Sequence, residues 1–88
     1  MKITKKDKAT LQEVFRHGML HIFDTDEEAF RIRAILGKHN ILHTLGEYLK
    51  DKDGDMAYHL GIEIAQPAKF IQQVFDGQYG EIGQGQKD

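Results

Sequence analysis

Between Met56 and Ile64 the chain alternates strictly: Met56, Tyr58, Leu60, Ile62 and Ile64 are large and apolar, and Ala57, His59, Gly61 and Glu63 between them are small or polar. Side chains on a strand point to alternate faces, so this period of two predicts a half-buried β-strand with one apolar face. A face of that kind needs a second layer to cover it, which excludes an all-helical fold. Just upstream, Asp51-Lys52-Asp53-Gly54-Asp55 has the residues of a solvated turn, since Asp and Gly accept the backbone angles that a chain reversal needs. Ile41 to Lys50, with Leu45 and Leu49 on the same side as Ile41, reads as the strand that runs into it.

Three other segments carry the helical period. Thr4 with Asp7 forms an N-cap pair, and Leu11, Val14 and Phe15 follow at helical spacing, which predicts a helix from about Lys5 to His17. Gly18 sits where a helix C-terminus wants positive φ, and Met19 to Phe23 is a short apolar run suited to a buried strand. An extended reading that starts at Val14 competes with this one. Thr25 with Glu28 has the spacing of a capping box, and Asp26, Glu27 and Glu28 suit the positive end of a helix dipole. That helix buries Ala29, Phe30, Ile32, Ala34, Ile35 and Leu36 and ends near Lys38 to Asn40. Gln66-Pro67 opens a last helix with Ala68, Phe70, Ile71, Val74 and Phe75 on its apolar face and Gly77 at its close.

The fold class is therefore α+β: one domain over residues 1–77, and a flexible tail over 78–88 containing Gly80, Gly83 and Gly85. The order is α-β-α-β-β-α, whose last five elements resemble a ferredoxin-like split β-α-β unit lacking its final strand. The resemblance lies in element order alone and carries no functional motif. It implies a three-stranded sheet with helices on one face, leaving the other face and an edge open.

At 88 residues the chain has material for one core. A domain this short buries only about 60% of its unfolded surface, so self-association is a ready source of further burial. Cysteine is absent, which removes disulfides, thiolate metal sites and cysteine nucleophiles and fits a reducing compartment. Lys2 to Asp7 lead into no apolar run of signal-peptide type, and no window reaches the roughly 20 apolar residues of a membrane span. A cytoplasmic location with no membrane partner is the expectation. Twelve basic residues against fourteen acidic give a net charge of −2, too balanced for charge alone to imply a polyanionic partner.

Chemical motifs fail one after another. The Asp51–Asp55 run lacks the glycine and glutamate of an EF-hand, having Met56 and Ile62 at those positions. Serine is absent along with cysteine, which leaves no ordinary hydrolase nucleophile. The C-terminal glycines follow a helix and lack the Lys-Ser/Thr of a phosphate loop. Among the five histidines, His17 and His21, like His39 and His43, are four apart. Each pair spans a helix end, so the two-histidine helical metal geometry does not apply. No metal, no cofactor and no catalytic residue is expected.

What remains is the sheet. His59 and Glu63 project away from the apolar side of their strand, and His21 projects opposite to Leu20 and Ile22. If they share the uncovered face they form, with Tyr48 and either His43 or Thr44, a polar platform rimmed by Arg31 and Arg33. The expected function is a non-enzymatic binding or regulatory module acting through protein contacts, as an adaptor, an inhibitor or a homodimer. One alternative is a small-ligand, nucleotide or metal sensor using the histidine-bearing face. The other is RNA or single-stranded DNA binding, with Lys2, Lys5, Lys6, Lys8, Arg16, Arg31, Arg33 and Lys38 as a basic edge and Phe23 or Tyr48 stacking a base.

Overall fold

The computed structural model describes residues 2–80. Three helices, α1 (Lys5–His17), α2 (Asp26–Lys38) and α3 (Ala68–Tyr79), and three strands, β1 (Leu20–Ile22), β2 (His43–Lys52) and β3 (Asp55–Ile64), follow in the order α1-β1-α2-β2-β3-α3. The strands form one open sheet in the order β1-β3-β2, with both pairings antiparallel. The class is α+β. Since β1 and β2 each oppose β3, they run parallel to one another with β3 between them.

Local chemistry sets most element ends. At α1, the Thr4 hydroxyl accepts from the Asp7 backbone N–H at 3.1 Å and the Asp7 carboxylate accepts from the Thr4 N–H at 2.9 Å, a complete capping box. Only half of the arrangement forms at α2. Thr25 accepts from the Glu28 N–H, while the Glu28 carboxylate turns to Lys6 Nζ, 3.9 Å away. Gly18, at φ 87°, ends α1, and Asn40, at φ 57°, follows α2. Between β2 and β3, Asp53 and Gly54 both adopt positive φ, the backbone of a two-residue hairpin turn matched to the strand twist. The last helix passes Gly77 and runs to Tyr79, with Gly80 at φ 84° as its cap. The remainder of the expected tail, 81–88, lies outside the described residues.

The core is a single cluster on one side of the sheet: Leu11, Val14 and Phe15 of α1, Phe23, Ala29, Ile32, Ile35 and Leu36 around α2, Ile41, Ile62 and Ile64 beside and on the sheet, and Ile71 and Phe75 of α3. Burying each large side chain contributes about 1.5–3 kcal/mol. The α3 helix joins through Phe75, whose ring centroid is 5.7 Å from that of Phe15. Tyr79 and His39 Nε2 meet at 2.7 Å across the ends of α3 and α2.

The apolar periodicity over-counts the core in three places. Phe30, Phe70 and Val74 turn outward, and Ala34 is exposed. Met56 and Tyr58 lie on the covered side of β3 yet remain in water. The β2–β3 hairpin pairs over ten residues in each strand, and the core accounts only for the part of it near Ile62 and Ile64.

Candidate interaction surface

Register decides which side chains share a face, because directly paired residues on neighbouring strands point the same way. Thr44 pairs Glu63, Gly46 pairs Gly61, Tyr48 pairs His59 and Lys50 pairs Ala57. These residues alternate with the buried Ile62 and Ile64 and so occupy the face away from the core. Tyr48, His59 and Glu63 are thereby brought together as the alternation predicts. Thr44, not His43, joins them, since His43 pairs the buried Ile64.

The β1 register overturns one expectation. His21 pairs Ile62, while Leu20 pairs Glu63 and Ile22 pairs Gly61. His21 therefore turns to the covered side, and Leu20 and Ile22 lie on the open face. The inward anchor of this stretch is Phe23, fully buried just past the strand. A one-residue offset exchanges every side chain between faces.

The rim residues also separate. On α2, Arg31 donates through Nε and Nη2 to the buried Asp7 carboxylate at 2.9–3.1 Å, and through Nη2 to the Lys2 carbonyl at 2.7 Å. It straps α2 to the start of α1. Burial raises the Asp7 carboxyl, but the bonds from Arg31 and Thr4 outweigh it and hold the group below the usual carboxylate range. Arg33 is exposed on α2, in the helical layer across the sheet from Tyr48. Nor do the basic side chains gather as an unpaired strip: Lys6 lies near Glu28, Arg16 is 3.4 Å from Glu13, and Arg31 holds Asp7.

The open face has a defined relief. The Tyr48 ring lies over the paired glycines, so a β-carbon on Gly61 would fall 2.7 Å from its Cδ2 and one on Gly46 3.4 Å from its Cε2. Leu42, 69% exposed, and Leu20 stand at the end of the face where β2 begins. At the other end Lys50 Nζ reaches Asp24 at 2.9 Å and the Ile22 carbonyl at 3.3 Å, and Lys52 Nζ lies 3.5 Å from Asp24. These contacts draw the hairpin toward the β1–α2 connection. On the opposite face, beyond the core, Leu49 (52% exposed), Met56 (54%) and Tyr58 (71%) form a second apolar strip. Leu49 pairs Tyr58 directly. The alternation contained that strip; its exposure depends on where the helices stop.

A third feature lies between α1 and the sheet, where a groove of about 500 Å3 is lined by Lys6, Thr10, Glu13, His17, His21 and Asp24, among others. His17 and His21 meet here, Nδ1 to Nδ1, at 2.7 Å. The His21 ring packs edge-on against Phe23, with centroids 4.5 Å apart. Burial, with His17 and Lys50 next, pushes the His21 imidazole down to about 4, against Glu13 and Asp24. Among the described residues no group of three or more His, Cys, Asp or Glu side chains is placed to hold a metal ion, and no helix is long and apolar enough to cross a membrane. No protein-family model, curated protein or solved structure matches the chain.

Proposed function

We propose that this chain is a non-enzymatic protein-binding module that works through its sheet, by self-association or by docking on a larger partner. The observation that supports it is the exposure of large apolar side chains on both faces of the sheet, Leu20 and Leu42 on the open face and Leu49, Met56 and Tyr58 on the other. Grouped apolar exposure of this kind marks contact surfaces in a domain that otherwise has its own core. The outer edge of β2 adds ten residues of strand with no neighbour among the described elements. On this reading the β1-α2-β2-β3-α3 portion is a ferredoxin-like unit without its final strand, and the unfilled place lies beside β1. The strand order β1-β3-β2 supports that assignment.

Sedimentation velocity over a thousandfold concentration range tests it, comparing the wild type with Leu42→Lys and Tyr58→Lys. A reversible dimer that either substitution dissociates, with the fold retained by circular dichroism, supports self-association. For a heterologous partner, a photo-crosslinking residue at position 58 or 42 in the native cell should capture one discrete protein that position 33 does not. A monomer at all concentrations with no position-dependent crosslink would refute the proposal.

A further inference from the structure

We propose that His17 and His21 form a proton-operated clasp that holds the last turn of α1 against β1 and opens when both imidazoles carry a proton. Gly18, at φ 87°, and Met19 reverse the chain between helix and strand, which lets two residues four apart meet although they belong to different elements. The rings approach edge to edge. Their planes differ by 18° and their centroids lie 4.8 Å apart, close to the sum of the 2.7 Å Nδ1–Nδ1 separation and two ring radii. At that separation one Nδ1 must donate and the other accept.

The proton count follows from this geometry. With both rings neutral, one is the Nδ1–H tautomer and the other keeps its proton on Nε2, giving a single N–H···N bond. Adding one proton yields an imidazolium donating to an imidazole, and the bond persists as a charge-assisted one. A second proton places two N–H groups and two positive charges face to face, and the contact must break. The surrounding charges are mixed. Glu13 on α1 lies 3.9 Å from His17 Nε2, and Asp24 after β1 and Glu28 on α2 also favour protonation. Lys50 on β2 and Lys6 on α1, which line the same groove, oppose it.

Which half moves is set by packing. His21 is half-buried against Phe23, whereas the His17 side chain is 49% exposed on the final turn of α1. Release therefore swings His17 outward and widens the groove that both residues line. The low value of His21 is consistent with a second proton that enters late.

The test is an NMR titration of the 15N-labelled imidazoles in the intact chain from pH 8 to pH 4. The expected result is a coupled two-step titration of His17 and His21, with a hydrogen-bonded Nδ1–H that disappears in the lower step. Amide exchange at Gly18 and Met19, corrected for intrinsic pH dependence, should quicken at least tenfold through that step while Ile35 and Ile62 stay protected. In His17→Gln, which keeps a good helix former on an exposed position, the His21 midpoint should rise and its titration become a single step. Independent titration of the two rings in the wild type, or a His21 midpoint unmoved by His17→Gln, would overturn the clasp.

Discussion

Tyr48 lies across Gly61 of the central strand so closely that a β-carbon there would sit 2.7 Å from the ring Cδ2, 3.0 Å from Cε2 and 3.2 Å from the His21 carbonyl oxygen. The two glycines paired at this level, Gly46 and Gly61, leave a shallow floor, and the aromatic ring fills it. A glycine in a strand interior ordinarily weakens the strand, and here it admits a ring.

Gly61→Ala should therefore destabilise the domain by about 1–2 kcal/mol, as the ring and the β1 carbonyl both resist displacement. Tyr48→Ala made in the same chain should recover part of that loss. Urea denaturation of the two single variants and the double variant measures the coupling. Strict additivity would mean that the ring moves aside at no cost.

The Asp7–Arg31 strap combines a helix cap with an ion pair on a buried carboxylate. Asp7→Ala should cost about 1–3 kcal/mol, because it removes the acceptor for Arg31 and for the Thr4 N–H together. A midpoint shift below about 0.3 kcal/mol would show that Arg31 finds another partner at no cost. The Asp7 carboxyl is held below its ordinary value in the folded state, so its contribution is present above about pH 4 and is lost as the pH falls further. The acid limb of unfolding should be shallower in Asp7→Ala.

His21 has the opposite chemistry and acts at higher pH. Its folded value is about 4, below that of the unfolded chain, so between roughly pH 6.5 and pH 4 the unfolded state binds the proton first. Stability should therefore rise with pH across that window, by about 3.4 kcal/mol at most, and level off above it. Burial, with Lys38 next, also lowers His39, which acts on stability in the same direction. In His21→Phe the slope of unfolding free energy against pH should flatten, and an unchanged slope would place its origin elsewhere.

Asp24 gathers Lys50 and Lys52 at a largely exposed site, where such pairs contribute little. Asp24→Ala should lower global stability by less than about 1 kcal/mol. Its effect should instead be local. Amide exchange of residues 49–58 should quicken, while the amides of Ile62 and Ile64 keep wild-type protection.

Both ends of α1, the start of α2 and the hairpin were legible from short-range chemistry, whereas the last helix runs past Gly77 to Tyr79. Thr4 and Asp7 start α1, Gly18 stops it, and Asp53-Gly54 fixes the turn that aligns β2 with β3. The facing of β1 was not legible, because Met19, Leu20, Ile22 and Phe23 are all apolar and a period of two has no contrast to detect there. Pairing with β3, some 40 positions away, decided it, and His21 went inward with the odd-numbered residues. Arg31 looked like a free rim cation because its partner Asp7 lies 24 residues upstream. Tyr48, His59 and Glu63 were placed correctly because the long strands enforce alternation. The exposure of Met56 and Tyr58 depends on where the helices stop, a tertiary quantity that no window of sequence contains.

The strand order also governs synthesis. The central strand of the sheet is the last one made. Neither β1 nor β2 has a neighbour until it emerges, so β1 leaves the ribosome roughly 40 residues before its partner, an interval of about 2–8 s at ordinary elongation rates. Throughout that time Leu20 and Ile22 lack the strand they pair with and the core lacks Ile62 and Ile64, so the nascent chain commits to its fold in one late step.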